Sequence, residues 1–265
     1  MHFSDEQLLN RYLENYPKAS LLVSVSDRDK QEFVSRVAEH LKLDLVDITD
    51  NISFEYLNDL YLKVDGYVYV INLDSLTLNK QNAILKFVEE CPSRSYIILQ
   101  TSIKTTVIPT IMTRCVEFDL YQYKKSDIKE YAKDLDPLIV EISNSFDDVD
   151  KFRNFDLKSL NTLCKNIGNN ISKATIPNTL NIAKKYIYFK DFEQGKYSID
   201  AFAKMLKYSL SELYKDTKSK TVYYLCKATV EFTDALMNTT LSREMLLDNF
   251  LLKLWRISRE MPDED

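Results

Sequence analysis

A chain of 265 residues with 45% hydrophobic and 28% charged residues has room for a sizeable core, and its 3 glycines and 6 prolines exclude long flexible linkers and collagen-like repeats. The formal charge of −5 excludes a global attraction to nucleic acid, so any contact with a phosphate backbone must be local or shared with partners. Two histidines and four widely spaced cysteines, with no C-x-x-C pair, argue against histidine-based catalysis, a zinc knuckle or a disulfide framework.

The sequence also carries a prediction of location. The first residues include acids where a secretory signal needs bases, and no apolar run reaches the length of a membrane span. The separated cysteines are typical of reduced thiols. We therefore expect a cytoplasmic protein.

The first 120 residues alternate strand-like and helix-like segments. Predicted strands cover 19–25, 43–48, 67–73, 96–101 and 116–120, and predicted helices cover 30–41, 54–63 and 79–90. The runs at 67–71 and 96–99 are continuously apolar, which is typical of strands that are buried on both faces. Alternation of such strands with helices predicts a parallel, doubly wound α/β sheet.

Beyond about residue 120 the pattern becomes helical. Predicted helices cover 126–135, 137–144, 157–167, 176–189, 199–214, 220–237 and 242–259. Ser126 and Ser242 are candidate N-caps of the first and last of these helices. The Gly- and Asn-rich break that leads to Pro177 is the best boundary within this half. The sequence therefore predicts two all-helical units after the sheet.

Two motifs flank the predicted strand at 96–101. Residues 82–92, NAILKFVEECP, resemble the N-[AS]-L-L-K-x-L-E-E-P-P helix end of bacterial sliding-clamp loader subunits. Residues 109–115, PTIMTRC, are similar to the P-T-I-x-S-R-C motif of the same family, in the same order and at the same spacing. Residues 245–254, MLLDNFLLKL, resemble the L-L-L-E-N-L-L-L-R-x stretch of the family's collar domain, although the stretch alone is equally typical of an amphipathic core helix.

The resemblance is to clamp-loader subunits of the DNA polymerase III delta-prime type. It implies an AAA+-type α/β domain over 1–120 without a functional P-loop, a small helical lid over 121–175 and a helical collar for oligomerisation over 176–265. It also implies assembly with gamma/tau-like ATPase and delta-like subunits, and contact with the sliding clamp and primer-template DNA through that complex. The cysteine-rich zinc module of many such subunits is lacking, so a reduced bacterial subunit and a phage-encoded relative both remain open.

The family's phosphate-binding loop falls on residues 24–31. Lys30 matches the motif lysine, but Ser24, Asp27 and Asp29 replace the glycines, and Gln31 replaces the hydroxyl residue. Without the glycines the backbone cannot wrap phosphates closely, and the added carboxylates repel a triphosphate. We therefore expect no nucleotide at this loop, with Lys30 solvated at a helix start.

Two more elements of the family's ATP site are altered. The magnesium-binding and water-activating acids fall on Ile71 and Asn72, and Asp74 is expected to cap the following helix or to face solvent. The lid arginine that senses nucleotide falls near Ser172, where only Lys173 is available. The resemblance therefore predicts a subunit without cofactor or metal and without ATPase activity of its own.

Arg114 is the predicted catalytic residue. It matches the arginine that in this family reaches across a subunit interface and completes the ATP site of the neighbour. The alternative is a structural arginine paired with an acid such as Glu117. Thr113 replaces the family's serine and keeps the hydroxyl, and Cys115 is expected to be a small buried residue rather than a nucleophile.

The remaining site predictions concern interfaces and other functions. Candidate interface residues, besides Thr113, are the apolar side chains of the last helix, with core packing as the alternative for most of them: Leu247, Phe250, Leu251, Leu254 and Trp255. Two other functions stay open, an active gamma-like ATPase and a DNA-binding adaptor that touches phosphates with Lys80 and Lys104. The acidic balance argues against the adaptor, because scattered lysines usually serve solubility.

Overall fold

The computed structural model describes residues 3–63, 65–173, 175, 178, 180–181, 187–188, 197–238 and 242–260. The chain divides into two compact units, Met1–Tyr123 and Lys124–Asp265. The predicted division of the second half near residue 175 stays a prediction.

The first unit is built on one five-stranded parallel sheet with the strand order β2-β3-β4-β1-β5. All five predicted strands are present and end within a few residues of their predicted bounds. They are β1 Ala19–Val23, β2 Asp44–Asp47, β3 Tyr67–Asn72, β4 Tyr96–Thr101 and β5 Val116–Asp119. The predicted parallel α/β fold is therefore confirmed for this unit.

Helices cover both faces of this sheet. They are α1 Phe3–Asn15, α2 Asp27–Leu41, α3 Phe54–Tyr61, α4 Leu78–Ala83, α5 Leu85–Glu90 and α6 Pro109–Met112. Alternate strand residues enter two separate cores: Leu21 packs in the core with Leu57 and Phe87, whereas Leu22 packs in the core with Tyr12 and Phe33. This two-sided burial explains why β3 and β4 are continuously apolar.

The helices of this unit differ from the sequence-based expectation in three respects. The sequence analysis missed α1 and α6, and the single helix predicted over 79–90 is divided at Ile84 into α4 and α5. The division is slight, because Ile84 keeps right-handed helical dihedrals and its carbonyl still accepts from the amide of Val88 at 2.9 Å. Residues 82–92 therefore remain a nearly continuous helical segment that leads into the turn before β4.

Gly66, just before β3, is required by a close backbone approach. A Cβ atom at this position would lie 2.3 Å from the carbonyl oxygen of Arg94, whose own φ of 58° is left-handed. A side chain larger than hydrogen at residue 66 therefore forces this junction apart.

The second unit is mainly helical. Its described helices are α7 Lys125–Tyr131, α8 Pro137–Ile142, α9 Phe146–Phe152, α10 Leu157–Asn170, α11 Ile199–Thr217, α12 Lys220–Asn238 and α13 Arg243–Glu260. From α10 onward each of these helices packs against the next. The rings of Phe232 and Phe250 stack with centroids 4.0 Å apart and join α12 to α13.

Three expectations for the second unit need correction. Ser126 is not the N-cap of α7, because the helix begins at Lys125 and the Asp127 carboxylate accepts from the amide of Lys124. The sequence analysis missed α9, whose N-cap is Ser145. The helix predicted over 176–189 lies mostly outside the described residues, and its end is a short strand, β6 Ile187–Tyr188, paired with β7 Tyr197–Ser198. Ser242, in contrast, caps α13 as predicted, since its hydroxyl accepts from the amide of Met245 at 3.2 Å.

Candidate functional site

The turn that connects β1 to α2 is the place where the family's phosphate loop falls. The hydroxyl of Ser24 accepts from the amide of Ser26, and the hydroxyl of Ser26 in turn accepts from the amide of Asp29, each at 3.1 Å. Ser26 is thereby the N-cap of α2. Two amides near this helix start, those of Ser26 and Asp29, therefore already donate to the protein's own hydroxyls.

Lys30 lies inside the first unit, with 1% of its surface exposed. Its Nζ is 3.0 Å from Oδ1 of Asp27 and 4.0 Å from Oδ2 of Asp74, and it donates to the hydroxyl of Ser102 at 3.1 Å. The expectation of a solvated Lys30 was therefore wrong. A buried ammonium is tolerated here because two carboxylates and a hydroxyl surround it.

Asp74 connects the ends of two neighbouring strands. Its carboxylate accepts from the Thr101 hydroxyl at 2.7 Å and from the amide of Ser102 at 2.8 Å, at the carboxyl end of β4. The expectation that Asp74 caps the following helix or faces solvent was wrong. Of the two preceding positions, Ile71 is fully buried in the core, and the side chain of Asn72 accepts from the amide of Asp74.

A second acidic residue of the loop is also buried. Asp29 is 2% exposed and accepts from the phenol of Tyr123 at 2.7 Å. Burial and this hydrogen bond raise the pKa of the Tyr123 phenol above its ordinary value, so the proton stays on the tyrosine. The Asp5 carboxylate accepts from the amide of Tyr121 nearby in the chain. These two carboxylates thus serve as acceptors for groups of the segment that ends the first unit.

The lid position is described in part. Lys173 is exposed at the end of a short 3-10 turn over Ile171–Lys173, in the second unit. Within the described ranges, no three side chains of the types His, Cys, Asp and Glu come together as a metal site.

Arg114 follows α6 and is held at two edges of its guanidinium. Nε donates to Oε2 of Glu89 at 3.2 Å, and Nη1 donates to the carbonyl of Thr110 at 2.9 Å. The hydroxyl of Thr113 donates to the same carbonyl at 3.1 Å. Within the described part of the chain, Nη2 has no acceptor at hydrogen-bonding distance, and 35% of the side chain is exposed.

The partner of Arg114 is not the acid that the sequence analysis considered. Glu117 pairs instead with Lys104, and this hydrogen bond raises the pKa of the lysine. Lys104, considered for a phosphate contact, therefore already has a carboxylate partner, whereas Lys80 is exposed in α4. The sequence-based prediction did not include Glu89. The two adjacent acids near the end of the motif at 82–92 were the feature that could have indicated it.

Cys115 lies beside this arginine and is partly buried. Burial raises the pKa of its thiol to about 12, so the thiol is protonated at neutral pH. This agrees with the expectation that Cys115 is not a nucleophile.

The predicted interface residues of α13 are mostly internal. Leu247, Phe250, Leu251 and Leu254 are at most 4% exposed and pack within the second unit. Trp255 is partly exposed, with the guanidinium of Arg259 lying 4.4 Å from the centre of its ring. An interface role for this helix stays a prediction and depends on side chains that it leaves accessible, such as Trp255 and the exposed Met245.

Comparison with known proteins gives two sequence matches, each to part of the chain. Residues 62–124 match the family model described as DNA polymerase III, delta subunit. The curated DNA polymerase III subunit delta' of Buchnera aphidicola subsp. Baizongia pistaciae (strain Bp) is 33% identical over 67 residues, which are 25% of this chain and 20% of the relative. The chain thus matches about a fifth of the length of that relative.

A solved structure is similar along most of the chain. The DNA polymerase III gamma subunit-related protein of Thermotoga maritima superposes with a TM-score of 0.46 at 17% identity, over 96% of this chain and 98% of that one. The family-model match spans β3, β4, β5 and the helices between them, where Glu89 and Arg114 meet. Over part of its length the chain is thus similar to delta and delta' subunits of DNA polymerase III.

Proposed function

We propose that this chain is a non-catalytic, delta-prime-like subunit of a cytoplasmic clamp-loader complex. It assembles with gamma/tau-like ATPase and delta-like subunits and helps to load the sliding clamp onto primer-template DNA during replication. Its contribution to the chemistry is Arg114, which enters the ATP site of a neighbouring subunit.

The observation that carries the non-catalytic role is the position of Lys30. Its ammonium is buried between Asp27 and Asp74, at the place where a triphosphate would need it. A nucleotide would have to displace these carboxylates and approach the buried Asp29, and each step places like charges together at short distance. The amides of the loop are also occupied by Ser24 and Ser26. Both effects support a loop that stays without nucleotide.

The accessibility of Arg114 supports the role in trans. Nη2 of its guanidinium has no acceptor among the described residues, and the backbone beneath it is fixed, since the amides of Thr113 and Arg114 donate to the carbonyls of Pro109 and Ile111. A guanidinium placed against a transferring phosphoryl group stabilises the charge that grows in the transition state, an effect of about 10³- to 10⁵-fold in rate.

The test of this function is the complex assembled with Arg114→Ala. We expect assembly to survive and the DNA- and clamp-stimulated ATPase of the neighbouring site to be lost. Lys104→Ala is the control, because it removes a cation from the same region without touching the guanidinium. Unchanged ATP hydrolysis in an intact Arg114→Ala complex would contradict the proposed role of Arg114 in the neighbouring ATP site.

Nucleotide binding by the isolated chain separates this proposal from an active gamma-like ATPase. We expect no saturable binding of a fluorescent ATP analogue at micromolar concentration, because the loop is occupied by its own side chains. Micromolar affinity that Lys30→Ala abolishes would favour the active ATPase.

A further inference from the structure

We propose that Glu89 is a positioning residue for Arg114: it holds Nε of the guanidinium while the carbonyl of Thr110 holds Nη1, so that Nη2 is left for an acceptor from outside. This inference rests on the proposed function of Arg114. It assigns a task to an acid that the sequence analysis did not single out.

Glu89 is fixed in place by its helix. Its neighbours Phe87 and Val88 are buried in the core of the first unit, with 1% and 2% of their surface exposed, so α5 cannot rotate without emptying that core. The side chain of Glu89 itself is 62% exposed and reaches Arg114 at 3.2 Å. A rigid helix thus presents a carboxylate at a defined place on the surface.

The segment that carries the arginine is fixed by the same helical region. Gln81 in α4 is 2% exposed; its amide group donates to the carbonyl of Thr106 at 3.1 Å, and its Oε1 accepts from the amide of Ile108 at 3.0 Å. These bonds hold the chain immediately before α6. The two sequence motifs at 82–92 and 109–115 are therefore joined in space, by Gln81 beside the first motif and by the pair between Glu89 and Arg114.

The geometry of the guanidinium explains why an exposed pair matters here. An arginine on the surface loses considerable rotamer freedom when it is held in one place, and an exposed ion pair contributes little to folding stability. The two bonds to Glu89 and Thr110 lie on adjacent edges of a planar group, so together they define its plane and direction. Because the side chain has already lost this conformational entropy, the further entropy loss on binding a phosphoryl group is smaller.

The experiment uses the assembled complex and four variants: Glu89→Ala, Glu89→Gln, Glu90→Ala and Arg114→Ala. Glu90 is the matched control, because it is the next acid on the same helix and pairs with Lys86 rather than with Arg114. For Glu89→Ala we expect kcat of the stimulated ATPase to fall by about three- to tenfold with KM for ATP unchanged. Glu89→Gln should recover most of the rate, because its amide oxygen still accepts from Nε. Glu90→Ala should match the unmodified complex, and thermal unfolding of each isolated Glu variant should be unchanged.

The results distinguish failure of the positioning role of Glu89 from failure of the proposed function of Arg114. If Arg114→Ala abolishes hydrolysis but Glu89→Ala does not lower kcat, the positioning role is wrong and the proposed function survives. A Glu89→Ala complex that is faster than the unmodified one makes Glu89 a competitor for the guanidinium and also overturns the inference. If Arg114→Ala leaves hydrolysis intact, the proposed function itself fails.

Discussion

At the scale of single residues, the buried lysine at the start of α2 differs most from what the sequence indicates. Sequence spacing assigns Lys30 to the loop and shows that the glycines are replaced. It cannot show that Asp74 and Ser102, far away in the chain, would close over the ammonium, because ion pairs between distant residues leave no periodic pattern. The replacement of the loop glycines was therefore visible in the sequence, whereas the contacts that Lys30 makes were not.

Lys30→Met should destabilise the chain by about 2 kcal/mol. The change leaves Asp74 and Ser102 without their cation, although Asp27, with 63% of its side chain exposed, can turn toward water and moderate the loss. Urea unfolding followed by circular dichroism measures the difference. Lys86→Met is the control, because both partners of its pair with Glu90 are exposed, and its effect should be close to zero. Equal midpoints for the two variants would show that the buried cluster contributes no stability.

At the scale of elements, the sheet was predictable and the short helices were not. Runs such as 67–71 and 96–99 are continuously apolar and bounded by polar residues, so the position of β3 and β4 follows from the sequence. Of the three helices that were not predicted, α6 and α9 have only four and seven residues and thus few turns for a periodic signal, whereas α1 was missed despite its 13 residues. The end of the predicted helix at 176–189 became a strand in a run of tyrosine, isoleucine and phenylalanine, which are residues that favour strands.

Gly66→Ala tests the junction between β3 and the turn that leads to β4. Its methyl group would lie 2.3 Å from a backbone oxygen that cannot rotate away, so we expect a loss of about 2–3 kcal/mol in the free energy of unfolding. Chemical denaturation of the purified variant is the measurement.

Gly168→Ala is the matched control, because it lies within α10 and its methyl group would meet only the ends of Leu210 and Leu213, at 3.1 and 3.4 Å. Helix propensity favours alanine by about 1 kcal/mol, so this variant should be within about 1 kcal/mol of the unmodified chain. An unchanged free energy of unfolding for Gly66→Ala, together with a large loss for Gly168→Ala, would contradict the local structure at both glycines.

At the scale of the whole molecule, charge and hydropathy limit what the isolated chain does. Its net charge is −5, and no described helix combines the length and hydropathy that crossing a bilayer requires. Of the two lysines considered for phosphate contact, Lys104 is engaged by Glu117. One of the two cations on which the adaptor function would depend is therefore already paired with a carboxylate.

The isolated chain should not bind primer-template DNA at physiological salt. Because the net charge of −5 opposes attraction to phosphates, affinity should be below what fluorescence anisotropy detects at micromolar protein. Lowering the salt should produce at most weak binding that is insensitive to sequence. Micromolar binding at about 150 mM salt that Lys80→Ala and Lys104→Ala together abolish would instead support the DNA-binding adaptor.

The central place of β1 in the sheet also affects how the first unit is made. β1 lies between β4 and β5, so Leu21 pairs with Leu99 on one side and with Glu117 on the other. Both partners are distant in sequence. Such non-local pairing forms slowly, and strand edges stay unpaired until it has formed. During synthesis the apolar run of β1 emerges first and has no neighbour until β4 and β5 follow. The sheet can therefore be completed only after Val116–Asp119 has been synthesised, and until then one edge of β1 lacks its strand partner.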